Sequence, residues 1–221
     1  MIGYWRARAE QPYLVNGHYH FSPLDLANAL RGNELFTDFY DCPEQVTELL
    51  RRCTATTIAF EADLRRMLGA RPGLPFWGAL APADALFVSE DAMDLCGPAL
   101  AAQWGKPWTA RLRDHFGRVA IHHHMLGAPV QSVIGSIARQ SLVQISNDPN
   151  CPPAAAQLAD LAAASGDNAL MFDCDYRAVP ALRPALARRR AVVVTATGDD
   201  LAAARQAVAL MRAVANIPAA A

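Results

Sequence analysis

Short apolar runs rich in β-branched residues alternate along the chain with longer stretches that have helical hydrophobic spacing. A short apolar run bounded by polar residues is typical of a buried strand. Strands that alternate with helices indicate an α/β fold with a parallel sheet. The runs predict strands at Tyr13–Val15, Ala85–Val88, Val119–Ile121, Leu142–Ile145, Ala169–Phe172 and Ala191–Val194.

Helical spacing is clearest over Pro43–Leu68, where apolar residues recur every third or fourth position. Pro43 in the first turn, with Asp41 before it and Glu44 after it, is typical of a helix start. The stretch Arg71–Pro82 is rich in proline and glycine and predicts a loop. Further helices are predicted over Val130–Ala138, Pro153–Ala164 and Leu201–Val214.

Two architectures fit this alternation, an open doubly wound sheet and a closed (β/α)8 barrel. A nucleotide-binding doubly wound sheet carries a glycine-rich turn after an early strand, and no predicted strand is followed by one. The sequence therefore favours a single domain over residues 1–221, a TIM-type (β/α)8 barrel that is incomplete, with about six βα units. Because its edge strands would be unpaired, we expect a homo-oligomer or a companion N-terminal chain.

Polar and ionisable residues follow each predicted strand at its carboxyl end. In a barrel these ends meet at one edge, which carries the chemistry. We interpret Ser89, Asp91 and Asp173 as candidate catalytic residues, and Asp148 in Asp148-Pro149-Asn150 as a turn residue. The first strand is followed by the candidate substrate-binding residues Asn16, His18 and His20.

Three consecutive histidines close the third predicted strand and give the sharpest chemical signal. Side chains alternate along a strand, so if Ile121 faces the helices, His122 and His124 point into the barrel above Ala120. His123 then points outward and is interpreted as a surface residue. Two imidazoles at i and i+2 point at one place, which predicts metal ligands, although strand-end histidines also serve as structural hydrogen-bonding groups. The same alternation places on the inner face Asn16, His18, His20, Gln144, Ser146, Asp148 and Asp173.

Composition narrows the classes of function. Lys and Arg total 20 against 21 for Asp and Glu, which gives a net charge of −1. The chain therefore lacks the excess of positive charge that is typical of proteins that bind nucleic acid or an anionic membrane. No apolar run approaches the roughly 20 residues that span a bilayer, and the N-terminus has no signal core. The 5 cysteines lack a CxxC pair and read as reduced thiols. These features predict a cytoplasmic protein.

Several segments together resemble the uroporphyrinogen decarboxylase superfamily, which includes uroporphyrinogen decarboxylase and zinc-dependent methylcobamide methyltransferases. The similarity covers most of the chain, from about Pro12 to Ala215. It implies the family barrel, with the six strands matching its third to eighth and the first two βα units absent. The resembling segments are Asn16–Gly32, Phe39–Glu44, Leu86–Asp91, Phe116–His124 and Gln144–Asn150.

The resemblance implies two activities. The first is tetrapyrrole decarboxylation, for which Ser89 is the one family active-site residue that is retained. The family's active-site tyrosine falls near Ala29, and its last-strand histidine falls near Thr197 or Gly198. The family's Arg and Asp belong to the two βα units that have no counterpart here. For methyl transfer, the family binds zinc through an H-x-C pair and a later cysteine.

In this chain the methyltransferase pair reads His122-x-His124, and the later cysteine falls near Thr197. Imidazole also binds zinc, and Asp91, Asp173 or Cys174 is the candidate third ligand. The first expectation is therefore methyl transfer from a methylated corrinoid at a zinc site. The alternatives are a tetrapyrrole carboxy-lyase and a non-catalytic or accessory barrel fragment.

Overall fold

The computed structural model describes residues 20–68, 75–76, 79–80, 85–186, 192–197 and 200–215. Its main feature is a six-stranded sheet in which every pairing is parallel, with the order β1-β4-β5-β6-β7-β8. The short strands β2 (Pro75–Phe76) and β3 (Ala79–Leu80) form a separate antiparallel pair inside the predicted loop. The strands of the main sheet are β1 His20–Phe21, β4 Ala85–Ser89, β5 Arg118–His124, β6 Leu142–Ser146, β7 Ala169–Asp175 and β8 Val192–Thr197.

Helices connect the strands of this sheet. Short non-α turns precede or interrupt several of them, at Ala101–Gly105, Met125–Val130, Ala154–Gln157 and Tyr176–Ala178. Among the described residues, no helix is both long and apolar enough to cross a membrane. The helices are α1 Pro23–Arg31, α2 Glu34–Asp41, α3 Pro43–Leu68, α4 Asp91–Asp94, α5 Pro98–Leu100, α6 Lys106–Phe116, α7 Gln131–Ala138, α8 Leu158–Ala164, α9 Val179–Leu186 and α10 Leu201–Ala215.

Most of the predicted elements are present. The helix predicted over Pro43–Leu68 has those bounds, and five predicted strands match observed strands to within a few residues. The strand predicted at Tyr13–Val15, together with Asn16 and His18, lies outside the described residues. The described chain instead enters the sheet at His20–Phe21.

The strand order distinguishes the two architectures considered from the sequence. A doubly wound sheet reverses its strand order at one point, whereas here each strand of the sheet pairs with the next in the chain. The fold is therefore an α/β fold consistent with a partial βα barrel. Within the described strands β1 and β8 do not pair with each other, so closure into a TIM-type barrel, like self-association, stays a prediction.

The two faces of the sheet carry separate apolar clusters. Ile121 belongs to the main core, which lies between the sheet and the helices and includes Leu50 of α3 and Ile134 of α7. Ala120 lies on the opposite face, in a smaller cluster with Phe87, Leu142 and Met171. The alternation predicted for β5 is confirmed. The inner face is thus apolar below the level of His122, which pairs in register with Ser89 and Gln144.

One glycine is required by close packing between α7 and the end of α8. A Cβ atom at Gly135 would lie 2.6 Å from the carbonyl oxygen of Ala164 and 2.9 Å from Cα of Ser165. Backbone atoms cannot move aside as a flexible side chain can. Glycine at this position therefore lowers the helical propensity of α7 relative to alanine but lets its backbone approach that of Ala164 and Ser165.

We expect Gly135→Ala to lower the free energy of unfolding by about 1–3 kcal/mol, the usual cost of overpacking a tight site. The matched control is Gly97→Ala, where a Cβ atom would meet nothing within 4 Å. Urea unfolding of the two variants measures the difference. Equal stability of both variants would show that this contact is not a tight constraint.

A candidate metal centre at the carboxyl edge of the sheet

The sheet brings a helix start beside a strand end at its carboxyl edge. Ser89 ends β4 opposite His122 of β5, so the chain that leaves β4 begins α4 at Asp91 next to the histidine run. Asp91 Oδ1 lies 3.7 Å from Nε2 of His122 and 3.8 Å from Nε2 of His124. The two Nε2 atoms are 3.2 Å apart. Three potential ligand atoms therefore converge.

Hydrogen bonds to the other ring nitrogens fix which atom of each imidazole carries hydrogen. Nδ1 of His124 lies 3.0 Å from a carboxylate oxygen of Asp148, so this nitrogen donates. Nδ1 of His122 contacts Oε1 of Gln144, whose amide nitrogen donates to the Ser146 hydroxyl. The amide oxygen of Gln144 can only accept. When both imidazoles are neutral, both Nε2 atoms carry lone pairs.

Three electron-pair donors thus face one another without a hydrogen atom to share. With both imidazoles neutral, such an arrangement is repulsive unless a metal ion lies between the donors; otherwise one imidazole takes up a second proton and donates it across the 3.2 Å contact. A tetrahedral zinc ion with ligand bonds of about 2.0–2.1 Å has ligand-to-ligand distances of about 3.4 Å. The observed separations of 3.2, 3.7 and 3.8 Å are close to that value. The residues therefore fit a metal ion, with room for further ligands.

Burial differs across this triad of Asp91, His122 and His124. The side chain of His122 is 6% exposed, that of His124 is 35% exposed and that of Asp91 is 51% exposed. Burial lowers the pKa of His122, whereas the hydrogen bond that its ring donates to Gln144 and the charge of Asp91 raise it. A lowered pKa keeps this imidazole neutral and able to bind a metal near neutral pH. The triad is closed on the His122 side and open on the Asp91 side.

A buried carboxylate holds the start of α4 in place. Asp25 of α1 accepts hydrogen bonds from the backbone N–H of Ala92 (2.7 Å), from that of Asp91 (3.2 Å) and from the hydroxyl of Ser89. Burial raises the pKa of Asp25 from 3.8 to about 7, and these hydrogen bonds oppose the rise. Ser89, predicted to be catalytic, is buried and engaged with Asp25.

One histidine lies on the other face from the one that alternation predicted, and a second lies on the predicted face but is buried. His20 was expected on the inner face, but it pairs in register with Val88 on the helix-facing side and contacts Glu61 of α3 at 2.9 Å. The face of His20 is therefore set by its register with Val88 and differs from the one expected by counting from Tyr13. His123 was interpreted as a surface residue, but it is fully buried between Asp94 and Gln131.

The remaining candidates divide between the two faces of β7. Asp173 lies one position beyond Phe172, which pairs with Ile145, and so shares the face of Ser146 and the metal triad without joining it. Cys174 lies in the helix-facing core, where burial raises the pKa of its thiol. Of the three candidates for a third metal ligand, the structure brings Asp91 to the histidines.

Sequence reasoning missed the partners that orient these ligands. Gln144 was placed on the inner face without a role, and Asp148 was interpreted as a turn residue. Besides contacting His124, Asp148 accepts the backbone N–H of Leu126 at 2.7 Å. Their inward position was a usable signal, because metal-binding histidines usually bond their second ring nitrogen to a carboxylate or carbonyl. Asp25 and Asp94 gave no comparable signal in the sequence.

The chain matches no protein-family model, and no curated protein is significantly similar to it. The resemblance to the uroporphyrinogen decarboxylase superfamily therefore stays a prediction.

We expect the stability of the metal-free protein to fall as pH rises from about 4 to about 7.5, partly because of Asp25. A folded-state pKa of about 7 against an ordinary 3.8 means that the folded protein holds this proton more tightly. Its stabilising contribution is complete below pH 4 and is lost as pH passes 7. Each pKa unit is worth about 1.4 kcal/mol, so the loss is a few kcal/mol.

The comparison is with Asp25→Asn, which cannot ionise and should show a flatter dependence. Urea unfolding in the presence of a chelator measures both profiles. The difference between the two proteins measures the contribution of Asp25 together with its effect on Glu90, whose pKa is raised by burial and by the charge of Asp25. Parallel profiles would contradict the assignment to Asp25.

Proposed function

We propose that this protein is a zinc-dependent methyltransferase in which Asp91, His122 and His124 hold the metal. The observation that carries the proposal is the convergence of the Asp91 carboxylate with two imidazole Nε2 atoms whose rings carry hydrogen at Nδ1. The methyl donor in this proposal is a methylated corrinoid and the acceptor is a small thiol. The donor and acceptor follow from the family resemblance, and the metal follows from the geometry.

The donor set favours zinc among the common metals. Two imidazole nitrogens and one carboxylate oxygen suit zinc, whereas magnesium and calcium take mainly oxygen ligands. Three protein ligands with an open fourth position are the usual arrangement of a catalytic zinc site. The half-exposed side chain of Asp91 leaves this position accessible from the carboxyl edge.

When bound, zinc lowers the pKa of a thiol and so supplies a nucleophilic thiolate at neutral pH. In the transfer, a bond forms between the acceptor sulfur and the methyl carbon while the carbon–cobalt bond breaks. The electron pair of that bond stays on cobalt, and the thiol proton passes to solvent. Gln144 and Asp148 hold the two imidazoles in their orientation, and the apolar layer of Phe87 and Ala120 excludes water beneath them.

Charge at the carboxyl edge disfavours tetrapyrrole decarboxylation. Asp91, Asp148 and Asp173 lie at the ends of neighbouring strands or in the segments that follow them. Carboxylates at this edge repel a substrate that itself carries several carboxylates. The non-catalytic alternative requires that the triad bind no metal, and so the first experiment is a direct measurement of metal binding.

We expect the wild type to bind one zinc ion. His122→Ala, His124→Ala and Asp91→Ala should each weaken zinc binding by at least about 10–100-fold, because loss of a residue that only orients a ligand already lowers metal affinity by that much. Calorimetric titration with zinc chloride measures the affinities. The control is Asp173→Asn, which removes a carboxylate from the same face but outside the triad. Equal losses in the control and triad variants, or no binding by the wild type, would reject the site.

We expect the zinc-loaded protein to transfer the methyl group of methylcobalamin to 2-mercaptoethanol. The visible spectrum of the corrinoid reports loss of the methyl group, and mass spectrometry reports the methyl thioether. His124→Ala should abolish the transfer, whereas Asp63→Asn, at an exposed carboxylate of α3, should retain it. Zinc binding without transfer to any of a panel of small thiols would reject methyl transfer while leaving the metal site intact.

A further inference from the structure

We propose that Asp94 is a positioning residue that fixes the distance between the Asp91 carboxylate and the two imidazoles. The inference rests on the proposed metal site and concerns how the fold holds its ligands together. Helix α4 is a single turn with Asp91 at its first position and Asp94 at its last. Whatever holds Asp94 therefore also holds Asp91.

Asp94 continues the β4–β5 ladder beyond the point where β4 ends. The backbone carbonyl of His122 points toward β4 and accepts the N–H of Glu90 at 2.8 Å. The N–H of His124, two residues later, points the same way, but β4 has already ended at Ser89. Oδ2 of Asp94 accepts that N–H at 2.6 Å. The carboxylate thus replaces the missing strand partner and attaches α4 to the ligand-bearing end of β5.

The second oxygen of Asp94 is held by a chain of hydrogen bonds whose direction is fixed. The hydroxyl of Ser165 donates to the carbonyl of Leu161 (2.6 Å), so its oxygen accepts from the amide nitrogen of Gln131 (2.7 Å). The amide oxygen of Gln131 must then accept from Nε2 of His123 (2.6 Å). Nδ1 of His123 faces Oδ1 of Asp94 at 3.1 Å, and one proton is shared between these two atoms.

The fold leaves space for this carboxylate at one glycine. A Cβ atom at Gly127 would lie 1.6 Å from Oδ1 of Asp94, so no other residue fits unless the carboxylate moves. Asp94 and His123 are both buried, which removes competition from water for these hydrogen bonds. The middle histidine of the run therefore works on the opposite face of β5 from the two proposed ligands.

The hydrogen-bond pattern predicts opposite outcomes for two substitutions. Asp94→Asn keeps both contacts, since its amide oxygen accepts from His124 and its amide nitrogen donates to neutral His123. Asp94→Ala removes both. We expect Asp94→Ala to weaken zinc binding by about 10–100-fold, as loss of a ligand support does, and Asp94→Asn to remain near the wild type. The visible absorption of bound cobalt(II) should change in Asp94→Ala alone, because it reports ligand geometry.

Glu61→Ala is the matched control, because Glu61 is also a buried carboxylate bonded to a histidine, His20, but away from the triad. Thermal unfolding should show destabilisation in both Glu61→Ala and Asp94→Ala, with metal affinity lost only in the latter. If Asp94→Ala does not fold, Gly127→Ala displaces the same carboxylate and should weaken zinc binding.

Two results would overturn the inference while the metal site stood. The first is that Asp94→Ala or Gly127→Ala binds zinc as tightly as the wild type does. The second is that Asp94→Ala and Glu61→Ala lose zinc affinity equally. Absence of zinc binding by the wild type would instead reject the metal site, and the role of Asp94 with it.

Discussion

The site depends first on one buried carboxylate, that of Asp25. Removing a carboxylate from water is costly, and the raised pKa of Asp25 records that cost. Three hydrogen bonds from the end of β4 and the start of α4 offset it. They connect α1 to the point where the chain leaves the sheet, and so determine where Asp91 lies. Without this anchor, a one-turn helix would have little of its own to hold it in place.

The sequence was informative where a local rule decides the outcome. Strand alternation placed Ala120, His122 and His124 on one face of β5, because side-chain direction depends only on the strand itself. The helical spacing of apolar residues, sustained over Pro43–Leu68, likewise predicted α3. The same rule misplaced His20, because the alternation was carried to it from Tyr13–Val15 across several intervening residues.

Partners distant in sequence were beyond such rules. Asp25 and Ala92 are 67 positions apart and Asp94 and His124 are 30 apart, so no local pattern announces their contacts. Helix α4 is too short to show a hydrophobic period, and the burial of His123 depends on α7 packing over it. Whether the sheet closes into a barrel also depends on contacts between its two outermost strands, which strand–helix alternation does not specify.

The graded exposure of the triad has a kinetic consequence. An ion bound as proposed would meet the exposed carboxylate of Asp91 first, where charge attracts it over the longest range, and the enclosed imidazole of His122 last. Water can replace the exposed ligand most readily, so release would begin at Asp91. A competing chelator would therefore approach from the side of Asp91 and the partly exposed His124, and not from that of His122.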